Sequence, residues 1–176
     1  VEAYIGASTT AHTRAMAEEA VILIHKYLKQ AYDHGDDLEA RTHMLRAAYC
    51  AGIAFTQSYV GYVHGIAHSL GGQYGIPHGL ANAVILPHML DAYGTSCHKR
   101  LARLARKCDI ATSMDDDISA SEKFIRWVKE MNHSMQIPEY LYEIKSEDIP
   151  IMAKHADNHC GSPASHCRLS EECVKG

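Results

Sequence analysis

An all-α helical bundle is the fold class this sequence predicts, and three observations predict it. Apolar residues recur at helical spacing along most of the chain, while strand-like alternation is rare. Side chains that cap helix N-termini stand just before the apolar stretches. Glycine and proline separate one stretch from the next. The 176 residues suit one domain, and 47% hydrophobic with 22% charged residues is a globular composition.

In chain order, "VEAYIG" reads as the last turn of a helix closed by Gly6, with the earlier part of that helix preceding Val1. Thr9 or Thr10 caps "AHTRAMAEEAVILIHKYLKQAY", whose apolar side carries Met16, Ala20, Leu23, Ile24, Tyr27 and Leu28. "HGD" breaks it, and Asp36 or Asp37 caps "LEARTHMLRAAYCAGIAFTQSY". A His/Gly-rich helix is predicted from about Tyr59 to Gln73, punctuated by "GIP". "HGLANAVILPHMLDAYG" follows, with Pro87 interrupting its hydrogen bonding. "HKRLARLARKCD" is a short amphipathic helix, "MDDDIS" a solvated linker, and Ser119 or Ser121 caps "EKFIRWVKEMNHSM". After the loop "QIPEYL", Ser146 caps "EDIPIMAKHADNH", with Pro150 in or just after the first turn. From Gly161 the chain reads as a loop until Ser170 caps a last helix. The sum is seven or eight helices.

A net charge of −4 argues against a nucleic-acid surface. No apolar run approaches the roughly 18 residues that span a bilayer, and residues 1–10 lack a signal-peptide pattern. The six cysteines, Cys50, Cys97, Cys108, Cys160, Cys167 and Cys173, are expected as reduced thiols of a cytoplasmic protein. The spacing of His159, Cys160, His166, Cys167 and Cys173 fits no established zinc pattern, so a loosely packed tail is expected there.

The chemistry concentrates in "GYVHGIAHSLGGQYGIPHG", residues 61 to 79, with three histidines and six glycines. On a helix advancing about 100° per residue, Gly61, His64, Gly65, His68, Gly71 and Gly72 fall on one arc of roughly 120°. Tyr62, Val63, Ile66, Ala67 and Leu70 lie opposite. Each interior glycine costs up to about 1 kcal/mol relative to alanine. Such a face strips away side-chain bulk and lets a ligand, a cofactor or a neighbouring backbone approach. His64 and His68, at i and i+4, can converge, and a turn through Pro77 can return His78 to them. Neutral imidazoles suit Fe, Zn, Cu or Ni, with a carboxylate expected from elsewhere for iron. Spacing alone leaves His64 and His78 open between ligands and packed or solvated residues. His88 can be a site residue or a core histidine, the core reading being favoured, and His12, His25, His34, His43, His98 and His133 are read as mostly solvated.

The block "GYVHGIAHSLGGQYGIPHGLANAVILPHML" resembles the iron-containing (group III) alcohol dehydrogenases, whose signature includes G-x-x-H-x-x-x-H-x-L-G followed by P-H-G. "VEAYIG", "EEAVILI" and "EDIPIMAKHAD" resemble the family too. The resemblance is clear over residues 1–157, and 158–176 match less closely. It implies the family's C-terminal helical domain, of the dehydroquinate synthase-like kind, without the α/β domain that binds NAD(P). Metal would be held by His64 and His78 together with an Asp and a His that precede Val1. His68 corresponds to a histidine close to the metal and the nicotinamide, a proton relay or orienting group. In the intact enzyme Fe(II), or Zn, supplies Lewis acidity toward a small alcohol or aldehyde, and hydride passes between the substrate carbon and the nicotinamide.

Three readings are carried forward. The chain is the metal-bearing domain of an NAD(P)-dependent alcohol dehydrogenase, inactive alone because no Gly-rich phosphate loop follows a strand. Alternatively it is a non-catalytic helical metal-binding or interaction domain, or a purely structural one. In the first case its cleft face is exposed and self-association is expected.

Overall fold

The computed structural model describes the backbone of residues 1–160 and the side chains of residues 1–157. Among the described residues there are eight α-helices and no strand: α1 (Glu2–Ile5), α2 (Ala11–Asp33), α3 (Leu38–Ser58), α4 (Tyr62–Tyr74), α5 (His78–Tyr93), α6 (Thr95–Lys107), α7 (Asp117–Ser134) and α8 (Ile149–Cys160). The expectations for Ser170 and for the His/Cys tail from Gly161 lie outside the described residues.

A local side-chain cap opens three of the described helices. Thr10 caps α2, accepting from the Thr13 N–H at 3.2 Å, and the Thr10 N–H donates back to the Thr13 hydroxyl at 2.8 Å. Asp37 caps α3 by accepting from the Ala40 N–H at 2.9 Å. Other starts differ from expectation. Asp116, not Ser119 or Ser121, caps α7, accepting from the Ser119 N–H at 2.7 Å, so "MDDDIS" is a cap as well as a linker. Ser121 is instead fully buried, its hydroxyl donating to the Ile118 carbonyl at 2.8 Å. Ser146 opens a 3-10 turn, Ser146–Asp148, and does not cap α8.

Helices α2 and α3 form an antiparallel hairpin. Ser58 pairs with Thr13, Arg46 with Glu19, and Gln30 with Asp37. The seam is made of small residues: Thr13, Ala17, Ala20 and Val21 face Ala40, Ala47, Cys50 and Ala54. Of the predicted apolar side of α2, only Ala20 is buried. Met16, Leu23, Ile24, Tyr27 and Leu28 are half-buried, because short side chains let the two helices approach closely and push longer ones to the margins.

The larger core joins α1, α2, α6 and α7 through Tyr4, Val21, Leu101, Leu104, Phe124 and Ile125, with Leu90 entering from α5. A smaller core joins α4, α5 and α8 through Ala67, Leu70, Ile76, Ala81 and Met152. Helix α5 therefore ties both halves together. Pro87 lies inside it and cannot donate to the Ala83 carbonyl four residues back. The Asn132 side-chain amide of α7 donates to that carbonyl at 2.7 Å, so the helix continues to Tyr93. Cys50, Cys97 and Cys108 are buried and in no disulfide, as expected for them. Burial pushes the Cys108 thiol up to about 11, which keeps it protonated and unreactive at neutral pH.

The turn before α7 carries a pH-sensitive contact. Asp115 accepts from Lys123 Nζ at 2.6 Å and from the Thr112 N–H at 2.8 Å. The Lys123 bond, then the Thr112 N–H, lowers its pKa from 3.8 to about 2. A carboxyl depressed on folding contributes stability that is present above its unfolded value and is lost as pH falls through its folded one. Replacing Asp115→Asn is expected to flatten the acid limb of the stability curve between pH 3.8 and about 2, read as the urea midpoint against pH. An unchanged limb would remove Asp115 from the account.

Candidate metal and substrate site

The site begins at α1, a single turn held on both sides. The Tyr4 hydroxyl donates to Glu18 Oε1 at 3.0 Å, and burial with that acceptor raises the phenol to about 12. Arg100 Nη1 donates to the carbonyls of Ile5 at 2.6 Å and Gly6 at 2.7 Å, satisfying the exposed end of the turn. These anchors fix Glu2, whose side chain is only 6% exposed, beneath the N-terminus of α4.

Helix α4 starts at Tyr62, three residues later than expected. Tyr59 takes φ 62° and ψ −177°, a positive-φ backbone rare outside glycine, which separates α3 from α4. The N-cap is Gly61, which has no side chain to accept the first N–H groups. Glu2 supplies the acceptors from 61 residues away: Oε1 accepts from the Val63 N–H at 2.9 Å and Oε2 from the His64 N–H at 3.3 Å. The negative carboxylate also suits the positive end of the helix dipole. A Cβ on Gly61 would lie 2.6 Å from Glu2 Oε1, so this glycine makes room for a protein carboxylate. Its backbone, at φ −120°, needs no glycine.

The predicted wheel holds on its apolar side. Val63, Ala67 and Leu70 are 2%, 0% and 2% exposed. On the opposite side Gly72 has open space around its missing Cβ, and His68 is exposed. His78 returns to this face. The His64 and His78 ring centres are 5.4 Å apart and tilted by 58°. His68 and His78 stack at 5.1 Å and 23°, and His64 and His68 meet edge-on at 6.3 Å.

Each ring's second nitrogen matters. The Glu2 carboxylate sits 2.5 Å from His64 Nδ1, so the proton between them belongs on Nδ1 and, in the neutral ring, Nε2 carries the lone pair. The Asn82 amide donates to the His78 carbonyl at 2.9 Å and contacts His78 Nε2 at 3.0 Å. Asn82 Oδ1 is buried with no partner. Among the described residues no group of three or more His, Cys, Asp or Glu side chains forms a ready metal cage. The three imidazoles are gathered, but two of their nitrogens are engaged by Glu2 and Asn82.

The histidines away from the cluster divide differently from expectation. His88 is not in the core: it lines a surface cavity of ≈ 350 Å³, with Nε2 3.0 Å from the Glu139 carbonyl. His12, His34 and His133 are exposed. His25 is half-buried edge-on against Trp127, and His43 stacks on Tyr27. His98 is half-buried too, its Nδ1 enclosed without a partner. Glu2 is the residue that sequence reasoning passes over. The signal that could have found it is a helix opening on glycine, whose first donors need an acceptor from elsewhere.

The model of the Fe-containing alcohol dehydrogenase family, C-terminal part, matches residues 1–175. The chain belongs to the Fe-containing alcohol dehydrogenase family. It is 40% identical over 158 residues to alcohol dehydrogenase 4 of Saccharomyces cerevisiae strain S288c, covering 89% of this chain and 40% of that protein. It is 36% identical over 158 residues to the NAD-dependent methanol dehydrogenase of Bacillus methanolicus, covering 89% of this chain and 42% of that protein. Among solved structures, a 1,3-propanediol oxidoreductase superposes with TM-score 0.88 at 35% identity, over 98% of this chain and 46% of that one. The chain thus spans less than half the length of these relatives. The all-α fold of the Fe-containing alcohol dehydrogenase C-terminal domain, expected from the His/Gly block, is what the described residues form.

Proposed function

We propose that residues 1–157 are the metal-bearing helical domain of an NAD(P)-dependent alcohol dehydrogenase that interconverts a small alcohol and its aldehyde or ketone. Family membership supports the oxidoreductase class. The methanol dehydrogenase relative supports a nicotinamide cofactor, which belongs here to the α/β part expected outside this domain. The free buried thiols of Cys50, Cys97 and Cys108 suit a reducing, cytoplasmic setting. No helix among the described residues is long and apolar enough to cross a membrane.

The observation that carries the metal assignment is the pose of His64 against His78. Two imidazoles on one tetrahedral metal, each about 2.0–2.1 Å from it, put their ring centres roughly 5 Å apart with converging edges. The pair at 5.4 Å and 58° fits that arrangement. The stacked pair, His68 and His78 at 23°, fits it poorly, since stacked rings aim their edges in parallel. His64 also has a carboxylate on its far nitrogen, the usual setting of a metal-bound histidine. Binding at His78 through Nε2 requires Asn82 to release that nitrogen.

A bound Fe(II) or Zn would supply Lewis acidity toward the substrate oxygen. His64 and His78 would hold it, Gly72 leaves the approach open, and exposed His68, beside both rings, would orient substrate or pass a proton. The donors present leave room for more, so full coordination draws on groups outside this set.

The test is alcohol-dependent reduction of NAD(P)⁺, followed by absorbance. The 176-residue chain alone is expected to give none, since its described part holds no strand and hence no strand–loop–helix dinucleotide site. Robust turnover by that chain would overturn the proposed division of labour.

A further inference from the structure

We infer that Glu2 is a positioning residue for the metal site: it fixes His64 in the Nδ1–H form and aims Nε2 outward as a donor. Three contacts converge on one carboxylate that is almost fully enclosed. The Val63 N–H is 2.9 Å from Oε1, and the His64 N–H and ring Nδ1 are 3.3 Å and 2.5 Å from Oε2. The backbone bonds lock the carboxylate to the same helix turn that carries His64, so the ring and its acceptor move as one unit. An acceptor-only group at Nδ1 excludes the Nε2–H tautomer, in which no lone pair would face His78. A side chain needed only to cap the helix would not have to reach the ring.

Gly61 belongs to the same device. A methyl group there would press on Oε1 at 2.6 Å, so the carboxylate must shift from its present place against the Val63 N–H. A glutamine at position 2 keeps the size but not the chemistry. Whichever way its amide turns, an NH₂ group faces the Val63 N–H or the His64 donors.

Glu2 has this role only if His64 is a metal donor, and the experiment separates the two claims. In the metal-free full-length protein, ¹⁵N shifts of the His64 ring are expected to report the Nδ1–H tautomer. The Nε2–H tautomer would overturn the inference without any variant being made. Zn(II) affinity is then measured by competition with a chromophoric chelator, with helical content checked by circular dichroism. His64→Ala, Glu2→Gln and Gly61→Ala are compared. Glu2→Gln and Gly61→Ala are each expected to weaken Zn(II) binding about 10–100-fold, the usual effect of removing the partner of a metal-bound histidine. If His64→Ala weakens binding and the other two leave it unchanged, Glu2 is only a helix cap. If His64→Ala itself changes nothing, the ligand assignment fails first and the positioning role goes with it.

Discussion

Replacing His64 and His78 together with alanine is expected to abolish tight metal binding while leaving the helices intact. His78 is exposed, and the His64 side chain is 29% exposed, so neither substitution opens a core cavity. The apolar side of α4, through Ala67 and Leu70, would keep its packing on α5 and α8. Glu2 would lose its ring partner but keep the Val63 and His64 N–H groups. The loss should exceed the roughly 10–100-fold expected from disturbing a supporting residue, because two donors disappear outright. Metal content per chain after dialysis, with circular dichroism as control, reads this directly. Full metal retention would favour the purely structural reading of the domain.

The largest expected effect on stability is at Phe124. Its side chain is 0% exposed, and it meets the Trp127 ring at 5.2 Å in the core shared by α1, α6 and α7. Truncation to alanine removes its buried surface and leaves a cavity that the neighbouring Leu101, Leu104 and Tyr4 cannot wholly fill. Phe124→Ala should therefore cost about 3–5 kcal/mol. Native domains hold only about 5–15 kcal/mol, so this is a large share. For a chain of this length the midpoint should fall by roughly 6–20 °C. This core also borders the site, since α1 lends it Tyr4 while its Glu2 holds the first turn of α4, so the pose of His64 is read alongside the midpoint. A thermal shift of a degree or two would mean that Phe124 is not where the core closes.

The sequence made visible what short-range chemistry decides. Thr10 and Asp37 cap their helices because their hydroxyl and carboxylate reach an N–H three residues on. The apolar side of α4 follows from spacing alone, whereas spacing only allowed the return of His78 across the turn at Pro77. What escaped depends on tertiary partners. Nothing in the string announces that Tyr59 adopts a positive φ, because aromatic residues seldom do so. Ser119 and Ser121 look like the cap of α7, but the fold starts that helix earlier and caps it with Asp116. On α2 the buried seam runs through Thr13 and Ala17, because an antiparallel neighbour selects short side chains over long ones.

The same distinction applies within the site. The glycines of "GYVHGIAHSLGGQYGIPHG" signal close approach, but not by what. At Gly61 the approaching group is Glu2, 59 positions earlier in the chain, whereas at Gly72 the space is open. One glycine therefore serves the support of His64, and another leaves the face clear for a ligand. Periodicity can place both on one arc and cannot tell them apart.

The central claim is that His64 and His78 together hold one metal ion. X-ray absorption at the metal edge of the Fe(II)- or Zn-loaded full-length protein, recorded beside the His64→Ala/His78→Ala variant, tests it most directly. The account predicts imidazole nitrogen scattering at about 2.0–2.1 Å in the parent protein, and loss of that metal from the variant. Imidazole scattering of undiminished amplitude in the variant would contradict it.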